Sequence, residues 1–104
     1  MPKYIFAYHG GSMPDTPEAQ EAAMAAWGAW METHKDALAD PGNPVGLSKT
    51  VLTDGSIEDN GGSNPLSGFS FVDVADMETA IKVAQDCPIL NDGGTVEIAP
   101  IMEM

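Results

Sequence analysis

Arginine is absent from all 104 residues, and the four basic side chains are Lys3, Lys35, Lys49 and Lys82. Without it the chain lacks the planar fork that grips phosphate or carboxylate at two points. A single cysteine, Cys87, excludes an internal disulfide and a paired-thiolate metal site. The two histidines, His9 and His34, stand far apart with no partner motif, so no zinc site is expected. Glu58, Asp59 and Asn60 lack the alternating spacing and closing glutamate of a calcium loop. There is no phosphate loop, dinucleotide fingerprint or serine elbow, and no cofactor is implied. No apolar run approaches membrane-spanning length. The opening stretch before His9 is too short for a signal segment with a cleavage site, so a cytoplasmic setting is expected.

Sixteen carboxylates face those four lysines, for a net charge of -12. Such a surface repels phosphate backbones, which excludes nucleic acid as a partner. It disfavours anionic membrane surfaces for the same reason. The acidity itself reads as a solvated, aggregation-resistant surface. The length fits one domain over 1–104 with a single core.

Residues 3–9 are rich in aromatic and branched side chains and read as a buried strand ended by Gly10-Gly11-Ser12. Thr16 followed by Pro17 signals a helix start, with Glu18 and Glu21 near the positive end of its dipole. The alanine-rich run then predicts a helix to about Ala39, with an apolar stripe of Ala23, Trp27, Met31, His34 and Leu38. Asp40-Pro41-Gly42-Asn43-Pro44 is read as a stop and turn, and Val45 to Thr53 as the second strand. Asp54-Gly55 is a turn signal, and 56–67 is a polar loop or a hairpin extension. A third strand from Phe69 to Val74, a helix capped by Asp76 and ended by Pro88, and a last strand from Thr95 to Met102 complete the chain.

That order is β-α-β-β-α-β, an α+β ferredoxin-like fold: a four-stranded antiparallel sheet with two helices on one face. The helices leave the other face apolar, through alternate members of 4–8 and of Phe69 and Phe71. The chain is therefore expected to form a homodimer in which two sheets meet face to face.

Lys3-Tyr4, Asp54-Gly55, Gly68-Phe69, Cys87-Pro88 and the close Val96-Glu97-Ile98-Ala99-Pro100-Ile101-Met102-Glu103 together resemble the YCII-related family, in particular its DGPF-domain branch. The likeness is strongest after Gly68. It implies a dimeric α+β barrel of ferredoxin-like subunits. Two positions depart from the pattern: Ser56-Ile57 stands where Pro-Phe follows the Asp-Gly turn, and Ala99 where the family has arginine. The resemblance also implies an active dyad of a histidine on the first helix and an aspartate just before the proline that ends the second. Asp86 matches that aspartate with Cys87 intervening, whereas His34 sits nearer the helix end than the family's histidine.

Among the candidate residues, His9 ends a strand beside two glycines, where a substrate can approach an acid/base group; solvent bonding at a strand end is the plainer account. His34 on the apolar stripe reads as a packed histidine. Asp86 sits at a helix C-terminus, where negative charge is mildly unfavourable, so it is a candidate base or orienting group. Cys87 reads as a small buried hydrophobe. Trp27 and Trp30, three apart, are not both expected to face the core. Two functions remain open. One is a dimeric protein binding a small organic molecule and catalysing a cofactor-free elimination or hydrolysis, with His9 and Asp86 as catalytic residues. The other is a non-catalytic ligand-sensing or accessory dimer.

Overall fold

Alternation along Lys3–His9 sets the centre of the molecule: Tyr4, Phe6 and Tyr8 are buried, and Ile5, Ala7 and His9 point the other way. This strand, β1, is flanked in the computed structural model by β5 (Leu66–Asp73) and β6 (Thr95–Pro100), both antiparallel to it. A further strand, β2 (Leu38–Pro44), pairs with β5 and gives the sheet order β2-β5-β1-β6. Two helices, α1 (Pro17–Thr33) and α2 (Met77–Gln85), and a short 3-10 helix over Pro88–Asp92 complete the main body. The structure describes residues 2–11, 14–62 and 64–103. Ser12, at the expected end of the first strand, and Ser63, within the expected 56–67 connection, lie outside the described residues. The expected architecture is present: an antiparallel four-stranded sheet with two helices, in the ferredoxin-like strand order.

Both helix starts follow the capping signals. The Thr16 hydroxyl accepts the Ala19 N–H at 3.1 Å with Pro17 in the first turn, and Asp76 accepts the Thr79 N–H at 2.9 Å. The Thr79 hydroxyl, then its N–H, holds the Asp76 carboxyl below its usual range. Its folded value is depressed, so that contribution is present above the ordinary carboxylate range and is lost as pH falls through the lower value.

The second strand corrects the sequence reading. Helix α1 ends at Thr33, not Ala39, and the second strand of the sheet is 38–44, not 45–53. Alanine-rich helix propensity loses here to tertiary pairing. Leu38 lies opposite Val72, and the Asp73 N–H donates to the Ala37 carbonyl at 2.8 Å. Asp40-Pro41-Gly42-Asn43-Pro44, with two prolines, looked like a turn. It is an irregular edge strand, the one place in a sheet where proline's missing donor is tolerated. Gly42 adopts φ +70° where the strand passes the Phe69 carbonyl; a Cβ there would lie 1.8 Å from that oxygen. The strand is also fastened from inside: Tyr8 donates to the Ser70 hydroxyl at 2.7 Å, and Ser70 donates to the Pro41 carbonyl at 2.6 Å.

The segment read as strand two instead leaves the sheet. Thr50–Val51 (β3) pairs with Ile57–Glu58 (β4) around the Asp54-Gly55 turn, making a separate two-stranded arm. Within 56–67, Ile57–Glu58 form a hairpin extension, the described residues between Asp59 and Pro65 are irregular, and Leu66-Ser67 already belong to β5. Packing of the core falls mainly to β1, β5, α2 and the second half of α1, where Trp30 is the buried helix residue. Trp30 is only 4% exposed, and Trp27, half-buried, packs against the same core with its ring 5.4 Å from that of Tyr8 and 5.7 Å from that of Trp30, so both tryptophans face inward, against the expectation from their spacing.

Two glycine substitutions separate close approach from free backbone. Gly42→Ala should destabilise the fold by about 3 kcal/mol, because it meets both a carbonyl and a left-handed backbone. Gly28→Ala, with open space at its Cβ inside α1, should stabilise by about 0.8 kcal/mol. Urea midpoints of the two variants measure both.

Candidate active site

His34 caps α1, and the backbone around it is fully engaged. Its N–H donates to the Trp30 carbonyl at 3.0 Å, and its own carbonyl accepts from Ala37 and Leu38. Asp86 holds the equivalent place at the end of α2, donating its N–H to the Val83 carbonyl. The Trp30 indole N–H crosses between the helices to the Val83 carbonyl at 3.0 Å in a buried bond. That single contact brings the two helix C-termini into register. As a result His34 Nε2 lies 3.2 Å from Asp86 Oδ2, although the residues are 52 apart in the chain.

The pair has the geometry of an oriented acid/base group. With Nε2 donating to the carboxylate, Nδ1 carries the lone pair, and it has no protein partner among the described residues. The ring is 19% exposed and is backed by Trp30, with ring centroids 6.0 Å apart at 58°; Asp86 is 65% exposed. The C-terminal ends of both helices meet at this corner.

His9, the other sequence candidate, is not brought to Asp86. It lies on the sheet face away from the helices, with Ile5, Ala7, Phe69 and Phe71. Its Nε2 is 3.0 Å from Glu97 Oε1 and its Nδ1 is 3.0 Å from the Asn64 carbonyl. Both nitrogens thus face acceptors, and a neutral ring with one N–H satisfies only one at a time. Asp86 meets His34 instead. No local signal marks Glu97 as its partner, because Glu97 lies diagonally across a strand pair whose register is set by the fold.

The remaining candidates are structural. Burial pushes the Cys87 thiol up to about 11, so it is a buried thiol rather than a nucleophile. Burial likewise raises the Tyr8 phenol well above its ordinary value, partly offset by the bond to Ser70. No cluster of three or more metal-ligating side chains occurs among the described residues. No helix there is long and apolar enough to cross a membrane. Two open clefts are present. A cleft of about 390 Å³ runs between Ala19, Ala22, Ala23 and Ala26 of α1 and Pro88 to Asp92. Another of about 180 Å³ lies between α2 and β6. Neither is lined by His34, Asp86 or His9.

Comparison with known proteins adds a family and a fold. The YCII-related domain matches residues 4–104. Among curated proteins, none matches this sequence. The solved structures that it resembles include 5-chloro-2-hydroxyhydroquinone dehydrochlorinase (TftG) from Burkholderia phenoliruptrix AC1100, in complex with 2,5-dihydroxybenzoquinone. The two share 15% sequence identity at a TM-score of 0.55, over 96% of this chain and 95% of that one. At that identity the likeness is one of fold.

The raised Cys87 value yields a direct check. At pH 8 a thiol reagent should label folded protein more than about a hundredfold slower than urea-unfolded protein.

Proposed function

The chain belongs to the YCII-related domain family, and on that premise we propose that it acts on a small organic molecule by cofactor-free acid/base chemistry, an elimination or a hydrolysis. The His34–Asp86 pair at 3.2 Å is the observation that carries this reading. His34 Nδ1 takes a proton from the substrate while Asp86 holds the opposite N–H and balances the charge that develops on the ring. In an elimination the electrons of the broken bond form the new double bond, and the leaving group departs with its pair. The dehydrochlorinase of similar fold is named for such an elimination, which supports that class over hydrolysis. The corner sits outside membranes and away from charged polymers in this reading, in keeping with the net charge of -12 and a cytoplasmic setting.

A partner copy is part of the same proposal. Ile5 lies opposite Phe71 and Ala7 opposite Phe69, so these four share the face that the helices leave uncovered. A homodimer joining two such faces removes that apolar surface from water. His9 and Glu97 would then lie between the sheets, where His9 remains the second candidate for chemistry. A non-catalytic ligand-binding role is favoured by one observation: neither open cleft reaches His34 or Asp86.

Activity should be screened on halogenated phenols and hydroxylated quinones. His34→Gln should lower kcat by about a hundredfold or more, and Asp86→Asn by a smaller factor, with the fold retained. Loss with His9→Gln instead would move the chemistry to the sheet face; full turnover in all three variants would reject an acid/base role. Light scattering over a dilution series should return twice the chain mass, and a constant single-chain mass would remove the homodimer.

A further inference from the structure

The arm formed by β3 and β4, with the segment that leads into it, exposes several branched apolar side chains. Leu47 is 105% exposed, Val51 69% and Ile57 63%, with Leu52 half-covered beside them. Among the described elements, β3 and β4 make extensive contact only with each other. The hairpin is nevertheless well defined. Thr50 donates to the Asn60 carbonyl at 2.7 Å, Lys49 pairs with Asp59 at 2.8 Å, and Asp54 accepts from both the N–H and the hydroxyl of Ser56. A two-stranded hairpin standing free in water is marginal at best. An ordered hairpin presenting apolar residues therefore needs something to pack against.

A complementary surface exists on the same chain but out of its reach. Between α2 and β6 runs a mostly apolar groove of about 180 Å³, lined by Ile81, Ala84, Gln85, Leu90, Val96 and Ile98, with Ile81 and Leu90 exposed. The arm follows β2 and the groove adjoins β6, and these are the two opposite edges of the sheet. Three strand spacings, roughly 14 Å, separate the edges before the arm's outward course is added. Within one chain the two surfaces stay apart. Val96 and Ile98 lie opposite Tyr8 and Phe6, so the groove opens on the helix side at the β6 edge. In a two-fold dimer an arm that passes around the other subunit's β6 edge would reach it, and the contact would be made twice.

Exposed area matches this account. The chain exposes 7123 Å², whereas a compact protein of 10.9 kDa exposes about 5,600 Å². The excess, about 1,500 Å², is nearly twice the roughly 800 Å² that each partner buries in a standard interface. The radius of gyration, 14.9 Å, likewise exceeds the roughly 13 Å expected for this length. We infer that the arm of each chain docks into the α2–β6 groove of a second copy, so that the homodimer is held by exchanged arms as well as by its sheets. The inference rests on the homodimer proposed above and names how its subunits grip each other.

Two measurements test it and separate its failure from that of the dimer. In the first, a chain carrying both Val51→Cys and Ile81→Cys is treated with a short bismaleimide. The arm and groove of one chain cannot meet, so the double variant should run as a covalent dimer under denaturing conditions and each single variant should stay a monomer. Cys87, buried and unreactive, does not interfere. In the second, Val51→Asp with Ile57→Asp should raise the dimer dissociation constant at least tenfold in dilution light scattering, with the circular dichroism of the sheet unchanged. A wild-type dimer with no crosslink and an unaltered dissociation constant would overturn arm docking while leaving the dimer in place. A monomeric wild type would overturn both.

Discussion

The indole N–H of Trp30, bonded to the Val83 carbonyl at 3.0 Å inside the core, is the contact on which the candidate site depends. Trp30 is the one buried residue of α1, with Trp27 and Met31 packed beside it on the core, so it is the main anchor of that helix. A buried N–H left without a partner costs about 1–3 kcal/mol, which makes this placement strongly preferred over neighbouring ones. Around it a run of edge-to-face aromatic contacts passes from Phe6 through Tyr8 and Trp27 to Trp30. His34 sits at the end of that run, its ring tilted against that of Trp30. Its imidazole is thus positioned by the same packing that holds the first helix to the second.

A second constraint works at the other edge of the main helix–sheet body. Strand β2 contains two prolines and a glycine with positive φ, none of which favours a central strand. It is held by its register with β5 and by the Tyr8–Ser70–Pro41 chain of hydroxyl bonds. Beyond Pro44 only Val45 still bonds to β5, its N–H donating to the Ser67 carbonyl at 3.0 Å, and the chain then turns outward into the β3–β4 arm. The position of one edge strand therefore sets the arm, and the arm in turn carries the apolar surface through which the chain is proposed to meet a second copy.

Charge contributes little to this architecture. The exposed pairs Lys35–Glu32 and Lys49–Asp59 are each worth at most about 1 kcal/mol. Most of the sixteen carboxylates have no cationic partner available, since only four lysines exist. Both histidines, by contrast, lie against carboxylates: His9 with Glu97 on the open sheet face and His34 with Asp86 at the helix ends. With arginine absent, these two imidazoles stand out among the polar side chains because each is held by a carboxylate.

Local signals in the chain were enough to determine the first strand, both helix starts, the last two strands in outline and the α+β class. Periodicity, capping residues and proline act over a few residues and leave marks that can be read there. The end of α1 and the place of β2 were not legible, because alanine's helix preference and the Asp-Pro-Gly-Asn-Pro turn signal were both overruled by pairing with β5, some thirty residues away. His9, His34 and Asp86 were each visible as candidates, yet which of them meet depends on sheet register and on one indole bond between helices. Contacts over 52 and 88 residues of chain have no local signature. Sequence supplied the side chains capable of acid/base work, and only the tertiary structure decided their partners, since distance in space is set by packing and not by spacing along the backbone.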